Sequence, residues 1–329
     1  MLYSIIIPVK KINNYVKKNI QIINQINPKK LEIIVIVNKK AKDRIKSKIS
    51  LKVIESGPCG PAIKRDIGSK IAKGSYLVFF DDDSFPRKDY FINLENIISK
   101  KKYEIFAGPA ISPKKQSIKK RISDAFFLST NSFEIIERYT IGKEKIVDDW
   151  PSVNFIIKKA IFKKVGGFKL NYWPGEDTFL CDKIKKIKKN ILYSPKLVVY
   201  HYRREGLKNH LKQIYGYGFH RGYFARKYRS TSLKFRYFIP SFFLLALLAS
   251  LLSSFFYLNN NYLFLIIFLY SPYIFISIMN ILRFENSFIA FNTVPYIFLS
   301  HITYGYSFLK GFLCLSNLLK SKNYLARYR

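Results

Sequence analysis

Two stretches toward the C-terminal end of this chain of 329 residues leave little choice of structure. Tyr237–Tyr257 (YFIPSFFLLALLASLLSSFFY) holds no charged residue, and Tyr262–Leu282 (YLFLIIFLYSPYIFISIMNIL) repeats the pattern. A helix of about 20 apolar residues covers roughly 30 Å, the thickness of a bilayer's hydrocarbon core. Core helices of soluble proteins rarely stay uncharged so long, so both segments are expected to span a membrane. A third stretch, Phe288–Leu315, is apolar but carries His301, Thr303, Tyr304, Gly305 and Lys310. Spanning, re-entering and lying in the interface are all open to it.

Charge supplies the orientation. The chain has 57 Lys and Arg against 21 Asp and Glu, a net +36, beside 49% hydrophobic and 17% aromatic residues. The combination is odd for a soluble basic protein, and it resolves when the chain is divided. Residues 1 to about 235 are charged and alternating, whereas the apolar sequence is concentrated beyond them. Between Arg203 and Arg236 the basic residues face a single acid, Glu205, while the link Leu258–Asn261 is uncharged. The positive-inside rule then puts the N-terminal domain in the cytoplasm and the link outside, in a multi-pass protein of the cell membrane. The basic tail Lys320–Arg329 prefers the cytoplasmic side too. The run Tyr3–Val9 is too short and strand-like for a signal peptide. Such charge also raises nucleic acid as a partner, but the basic residues are spread and the aromatics sit mainly in the apolar spans. Cys59, Cys181 and Cys314 show neither disulfide nor zinc spacing, and Cys181 reads as a helix residue packed inward.

The N-terminal part alternates between strand and helix. Strands are expected at Tyr3–Val9, Leu31–Val37, Leu51–Glu55 and Tyr76–Phe80, and helices at Asn14–Ile26, around Ala41–Ile49 and at Ala62–Ala72. That alternation implies a parallel sheet with helices on both faces. The bulky strand Tyr76–Phe80 runs straight into Asp81-Asp82-Asp83. Ligands bind at the carboxyl ends of such strands. Three adjacent acids repel one another, and a hard divalent cation carrying substrate phosphates would relieve them. A solvated turn capping the next helix fits the triplet equally simply.

The ordered set Tyr3-Ser-Ile-Ile-Ile-Pro-Val9, Glu32-Ile-Ile-Val-Ile-Val37, Gly60-Pro-Ala-Ile-Lys-Arg-Asp-Ile-Gly68, Asp81-Asp-Asp83, Val165-Gly-Gly-Phe168 and Gly175-Glu-Asp177 resembles family 2 glycosyltransferases of the GT-A fold. Leu299–Gly311 looks like the C-terminal membrane segment of ExoA-like enzymes, which build exopolysaccharide on a lipid carrier. The resemblance implies an α/β, Rossmann-like GT-A domain over residues 1–205, followed by C-terminal transmembrane helices. A basic amphipathic helical region would occupy 206–236, membrane-embedded helices 237–315 and a basic tail 316–329. It implies inverting transfer of a sugar from a nucleotide-diphosphate donor to a glycan acceptor, polyprenyl-linked in the favoured case. A Mn²⁺ or Mg²⁺ ion is the implied cofactor. A non-catalytic scaffold of a polysaccharide synthesis complex is the rival reading.

Carried over residue by residue, Asp83 would ligate the metal, with Asp81 and His201 beside it. Asp81 would also contact ribose or base, and Asp82 would support the site. Asp177 would be the general base, with Glu176 next to it in the catalytic pair. The same two acids also read as residues satisfied by a helix N-terminus. Pro8, Asn38, Lys64, Arg65 and Asn154 would line the nucleotide-sugar site. Lys64 and Arg65 also fit solvated charges at a helix start, and a lone His such as His201 is often structural. Trp150 and Trp173 fit either a sugar platform or ordinary packing. The segment Gly206–Arg229 reads as an amphipathic basic helix on anionic lipid. Its Gln213 and Arg221 resemble the Gln and Arg of the interfacial helix in processive synthases, although the spacing departs and no Trp follows. Two more departures stand out. Val37-Asn38-Lys39-Lys40 replaces an acidic pair, which leaves nucleotide preference open, and Asp66 stands where Asn is frequent.

Overall fold

The computed structural model describes residues 3–39, 45–100, 102–129, 136–169, 174–257 and 260–314. These divide into two compact units. The first runs to Ser112 and resumes from Thr140 to Tyr202; the second comprises Pro113–Tyr139 and Arg203–Leu315.

In the first unit, β1 (Tyr3–Pro8) leads to α1 (Asn14–Ile26), β2 (Leu31–Val37), β3 (Ser50–Glu55), α2 (Pro61–Ile71) and β4 (Tyr76–Phe80). There follow β5 (Ser84–Pro86), α3 (Tyr90–Lys100), β6 (Ile105–Ala107) and β7 (Ala110–Ile111). After α4 (Ile118–Leu128), which belongs to the second unit, come β8 (Lys145–Val147), β9 (Asn154–Lys158), α5 (Lys159–Lys164), α6 (Glu176–Lys186), β10 (Ile191–Tyr193) and β11 (Val199–His201). The large sheet has the order β3-β2-β1-β4-β9-β6-β10-β8. Strands β3, β2, β1 and β4 are parallel, as expected, and β1, β2 and β4 are buried along their whole length. The other half departs from the expected parallel sheet: β9 is antiparallel to both β4 and β6, and β8 is antiparallel to β10.

Helix signals act where the residues place them. Asn13 caps α1 by accepting from the Val16 backbone N–H at 2.9 Å, and Asn27 ends it in the left-handed region. Gly60 and Pro61 open α2, Pro at a first turn costing no hydrogen bond. The basic helix expected around Ala41–Ile49 is not seen: residues 45–49 are non-helical, and the remainder lies outside the described residues.

The second unit is helical, with α4 followed by α7 (Leu207–Lys227), α8 (Arg229–Ser232), α9 (Ile239–Tyr257), α10 (Asn261–Leu282) and α11 (Ser287–Leu313). Among the described residues, α9 and α10 are the helices long and apolar enough to cross a bilayer. Large side chains such as Phe242, Phe255, Phe264 and Phe268 on them are exposed. Helix α7 differs from a helix laid on a surface. Lys208 and Lys212 near its start are exposed, but from Gly218 to Ala225 it is enclosed. A Cβ on Gly222 would fall 2.0 Å from the Phe308 carbonyl oxygen of α11, so this face accepts nothing larger than glycine.

Candidate active site

The carboxyl ends of β1, β2 and β4 lie at one edge of the sheet because the strands are parallel and in register. That edge receives Pro8, Asn38 and the Asp81–Asp83 turn. Ser84 shapes the turn: its Oγ accepts from the Asp81 backbone N–H and donates to the Asp81 carbonyl, both at 3.0 Å. Strand β5 then pairs antiparallel with β11 in a small second sheet, setting His201 opposite Ser84. This register brings His201 Nε2 within 3.1 Å of Asp83 Oδ1.

Asp81, Asp83 and His201 each offer a ligand atom, and these atoms lie within 4.8 Å of one another. Two carboxylates and an imidazole suit a divalent cation of the Mn²⁺ or Mg²⁺ kind. Asp82 is turned to another partner, accepting from Asn13 Nδ2 at 2.6 Å. Burial, and then the adjacent Asp83, push the Asp82 carboxyl up to about 6.

Arg65 links this turn to α6. Its guanidinium is buried and donates to Asp81 Oδ1 at 2.6 Å and to Glu176 Oε1 at 2.9 Å. Phe168 packs on it, 5.6 Å from ring centroid to guanidinium carbon. Glu176 is buried, and its Oε2 has no hydrogen-bond partner among the described residues. Asp177 is held by Ser152 through hydroxyl and backbone hydrogen bonds, while its Oδ1 has no partner among the described residues. Burial drives both carboxyls above the ordinary range, and for Glu176 the Asp177 charge adds to it. One carboxylate oxygen anchored and one open is the arrangement a general base needs.

The other expected site residues fall in several places. Lys64 is buried and donates to the Val9 carbonyl at 2.6 Å, and burial lowers its pKa. Asn38 lies at the end of β2 with its Oδ1 closed off and unpartnered among the described residues. Asn154 is committed to the framework. It accepts from Tyr90 OH at 2.9 Å and donates to the Leu197 and Pro109 carbonyls at 2.7 and 3.1 Å. Trp150 is buried, its indole donating to the Gly108 carbonyl at 3.0 Å, which makes it a packing residue; Trp173 lies outside the described residues. Cys181 packs inward beside Trp150, as expected. In the second unit, Gln213 donates to Tyr217 OH at 2.8 Å, and Arg221 lies over the Tyr237 ring and donates to Ser232 at 3.3 Å. Asn13, Ser84 and Ser152 were missed as site residues. Asn13 and Ser84 carried a signal, an N-cap at a strand's carboxyl end and a Ser closing an acidic turn.

Residues 4–166 match the family model described as glycosyl transferase family 2. Among solved structures, the chain is similar to GalNAc-T7 crystallised with UDP, GalNAc and Mn²⁺, at 20% identity and a TM-score of 0.48, covering 62% of this chain and 44% of that one. It is also similar to Staphylococcus aureus TarS 1-349 in complex with UDP-GlcNAc, at 14% identity and a TM-score of 0.43, covering 67% and 66%. A second TarS structure gives 14% identity and a TM-score of 0.46, covering 71% and 44%. The chain thus spans less than two thirds of the length of these proteins. No curated protein matches it. The family match, over the sheet and the acidic turn just described, makes this chain a member of glycosyl transferase family 2, a glycosyltransferase with a GT-A domain.

Proposed function

We propose that this protein transfers a sugar, with inversion, from a nucleotide-diphosphate donor to a lipid-linked glycan acceptor at the cytoplasmic face of the membrane. The observation that carries the chemistry is Asp177, with one oxygen anchored by Ser152 and Oδ1 unpartnered, beside the Arg65 pairs to Glu176 and Asp81. The acceptor hydroxyl oxygen attacks the anomeric carbon while Asp177 takes its proton at Oδ1. The bond from that carbon to the diphosphate breaks, and the nucleoside diphosphate leaves with the electron pair. One displacement on the face opposite the leaving group inverts the configuration, and one base suffices.

Asp81, Asp83 and His201 would hold a Mn²⁺ or Mg²⁺ ion. Bound there, such an ion supplies positive charge against the diphosphate and favours its departure. Arg65 keeps the Asp81 side chain oriented, and Asn13 does the same for Asp82. Pro8, Asn38 and Lys64, at the ends of β1 and β2 and the start of α2, line the nucleotide side, with the Asn38 carboxamide offered to base or ribose.

The membrane part of the reading rests on α9 and α10 and on the basic stretch Arg203–Arg236 that precedes them. The likeness of Leu299–Gly311 to ExoA-like enzymes supports an acceptor carried on a lipid. The direct test is a screen of uridine, guanosine and thymidine diphosphosugars for nucleotide release by the detergent-purified protein, with and without Mn²⁺. Cation-dependent release from at least one donor, raised by a lipid-linked acceptor, is expected. Failure of every donor, with the protein folded, would overturn the reading.

A further inference from the structure

We propose that Asp66 is a positioning residue for the transfer step, fixing the turn through which α2 and α6 set Arg65 against Glu176 and Asp177. This rests on the reading above, in which Asp177 is the base. Three consecutive side chains of α2 each hold a different piece of the first unit. Lys64 donates to the Val9 carbonyl at the end of β1, and Arg65 donates to Asp81 and Glu176. Asp66 accepts from the backbone N–H groups of Phe168 and Lys169, each at 2.8 Å.

The turn that Asp66 grips is built around that carboxylate. Gly166 and Gly167 have φ of +75° and +68°, and a Cβ on Gly167 would fall 2.5 Å from Asp66 Oδ1. Glycine is therefore required at Gly167 twice over, for its backbone region and for the approach of the acid. The turn is also gripped from α6, where Lys183 Nζ donates to the Gly167 carbonyl. So α2 holds the N–H groups of the turn, α6 holds one of its carbonyls, and the same two helices supply the two ends of the Arg65–Glu176 pair. Phe168 carries the connection inward. Its buried ring packs on Phe79 and Phe162, at 5.3 and 5.6 Å, and backs the Arg65 guanidinium. A carboxylate accepting two backbone N–H groups makes charge-assisted bonds that a neutral side chain replaces poorly. Without it, the turn, the ring and the guanidinium are free to shift together, and Glu176 and Asp177 with them.

The test uses the full-length protein in detergent, with a donor that the parent accepts. Asp66→Ala should lower kcat by about 10- to 100-fold, the cost of a base misplaced by on the order of 1 Å. Asp66→Asn, which keeps one acceptor but turns an N–H toward the second donor, should fall between it and the parent. Donor KM, and the affinity and stoichiometry of nucleotide binding by calorimetry with Mn²⁺, should stay within about twofold of the parent, since the donor side is untouched. A general folding lesion would instead lower the stoichiometry. Lys183→Met reaches the same turn from α6 and should lower kcat in the same way, less than additively with Asp66→Asn; these two variants carry the test if Asp66→Ala does not fold. Parent-like kcat in the folded variants, or kcat and donor affinity falling by the same factor, would overturn the inference and leave the glycosyltransferase reading standing. A parent inactive with every donor would overturn both.

Discussion

Each unit of the molecule buries a guanidinium, and the two are neutralised differently. In the helical unit, Arg203 donates to Asp124 at 2.8 Å and lies over the rings of Phe127 and Tyr139. In the sheet unit, Arg65 likewise lies against an aromatic ring but meets two carboxylates, Asp81 and Glu176, and feels Asp177 as well. A cation matched by one acid is a fastening whose desolvation cost is offset by its partner. A cation facing an excess of acids leaves negative charge that calls for a proton or a metal ion, the signature of a site that does chemistry.

Variants can break or sharpen this contrast. The largest expected effect is on turnover: Asp177→Asn should lower kcat by on the order of 10² to 10⁴ with an unchanged melting temperature. Near-parent turnover in a folded variant would remove Asp177 from the base role. Next comes stability. Asp124→Asn leaves Arg203 buried without that carboxylate and should cost about 3–5 kcal/mol, whereas Glu176→Gln, with Asp81 still on Arg65, should cost less than about 1 kcal/mol. Equal losses in denaturant titrations would erase the distinction between the two sites.

The smallest expected effect is a displacement of the pH profile. Catalysis needs Asp177 unprotonated, and its pKa is raised by burial. Activity should therefore be lost, as pH falls, at a higher pH than the ordinary Asp value of about 3.9 implies. In Glu176→Gln the neighbouring acid is gone and the acidic limb of kcat should move down. An acidic limb at the ordinary value in the parent, or an unmoved one in the variant, would contradict this.

Much of the first half of the sheet unit was legible because its signals are local. Continuous apolar runs mark β1, β2 and β4, and Asn13, Asn27, Gly60 and Pro61 bound their helices. Asp81–Asp83, Glu176–Asp177 and His201 stood out as chemistry placed at element ends, although nothing local said that β11 would set His201 against Asp83. The mixed half of the sheet was not legible, since β6, β8 and β10 are three residues each and too short to carry a period. The Asn13–Asp82 and Asp66–Phe168 hydrogen bonds join residues far apart in sequence, so only the fold reveals them. In α7 the alternation of basic and apolar residues was real, but Gly218 and Gly222 decided its packing. Their lack of side chains, which looks like weakness in a helix, admits the backbone of α11.

Most directly at stake is the claim that the acids after β4 and His201 join a cation to a donor diphosphate. Calorimetric titration of a nucleoside diphosphate into the detergent-purified protein, with and without Mn²⁺, tests it, repeated on Asp83→Asn. Nucleotide should bind at least about tenfold more tightly with the cation in the parent, a coupling within the ordinary range for linked ligands, and Asp83→Asn should lose that gain. Nucleotide affinity indifferent to Mn²⁺, or a gain that survives in Asp83→Asn, would contradict it.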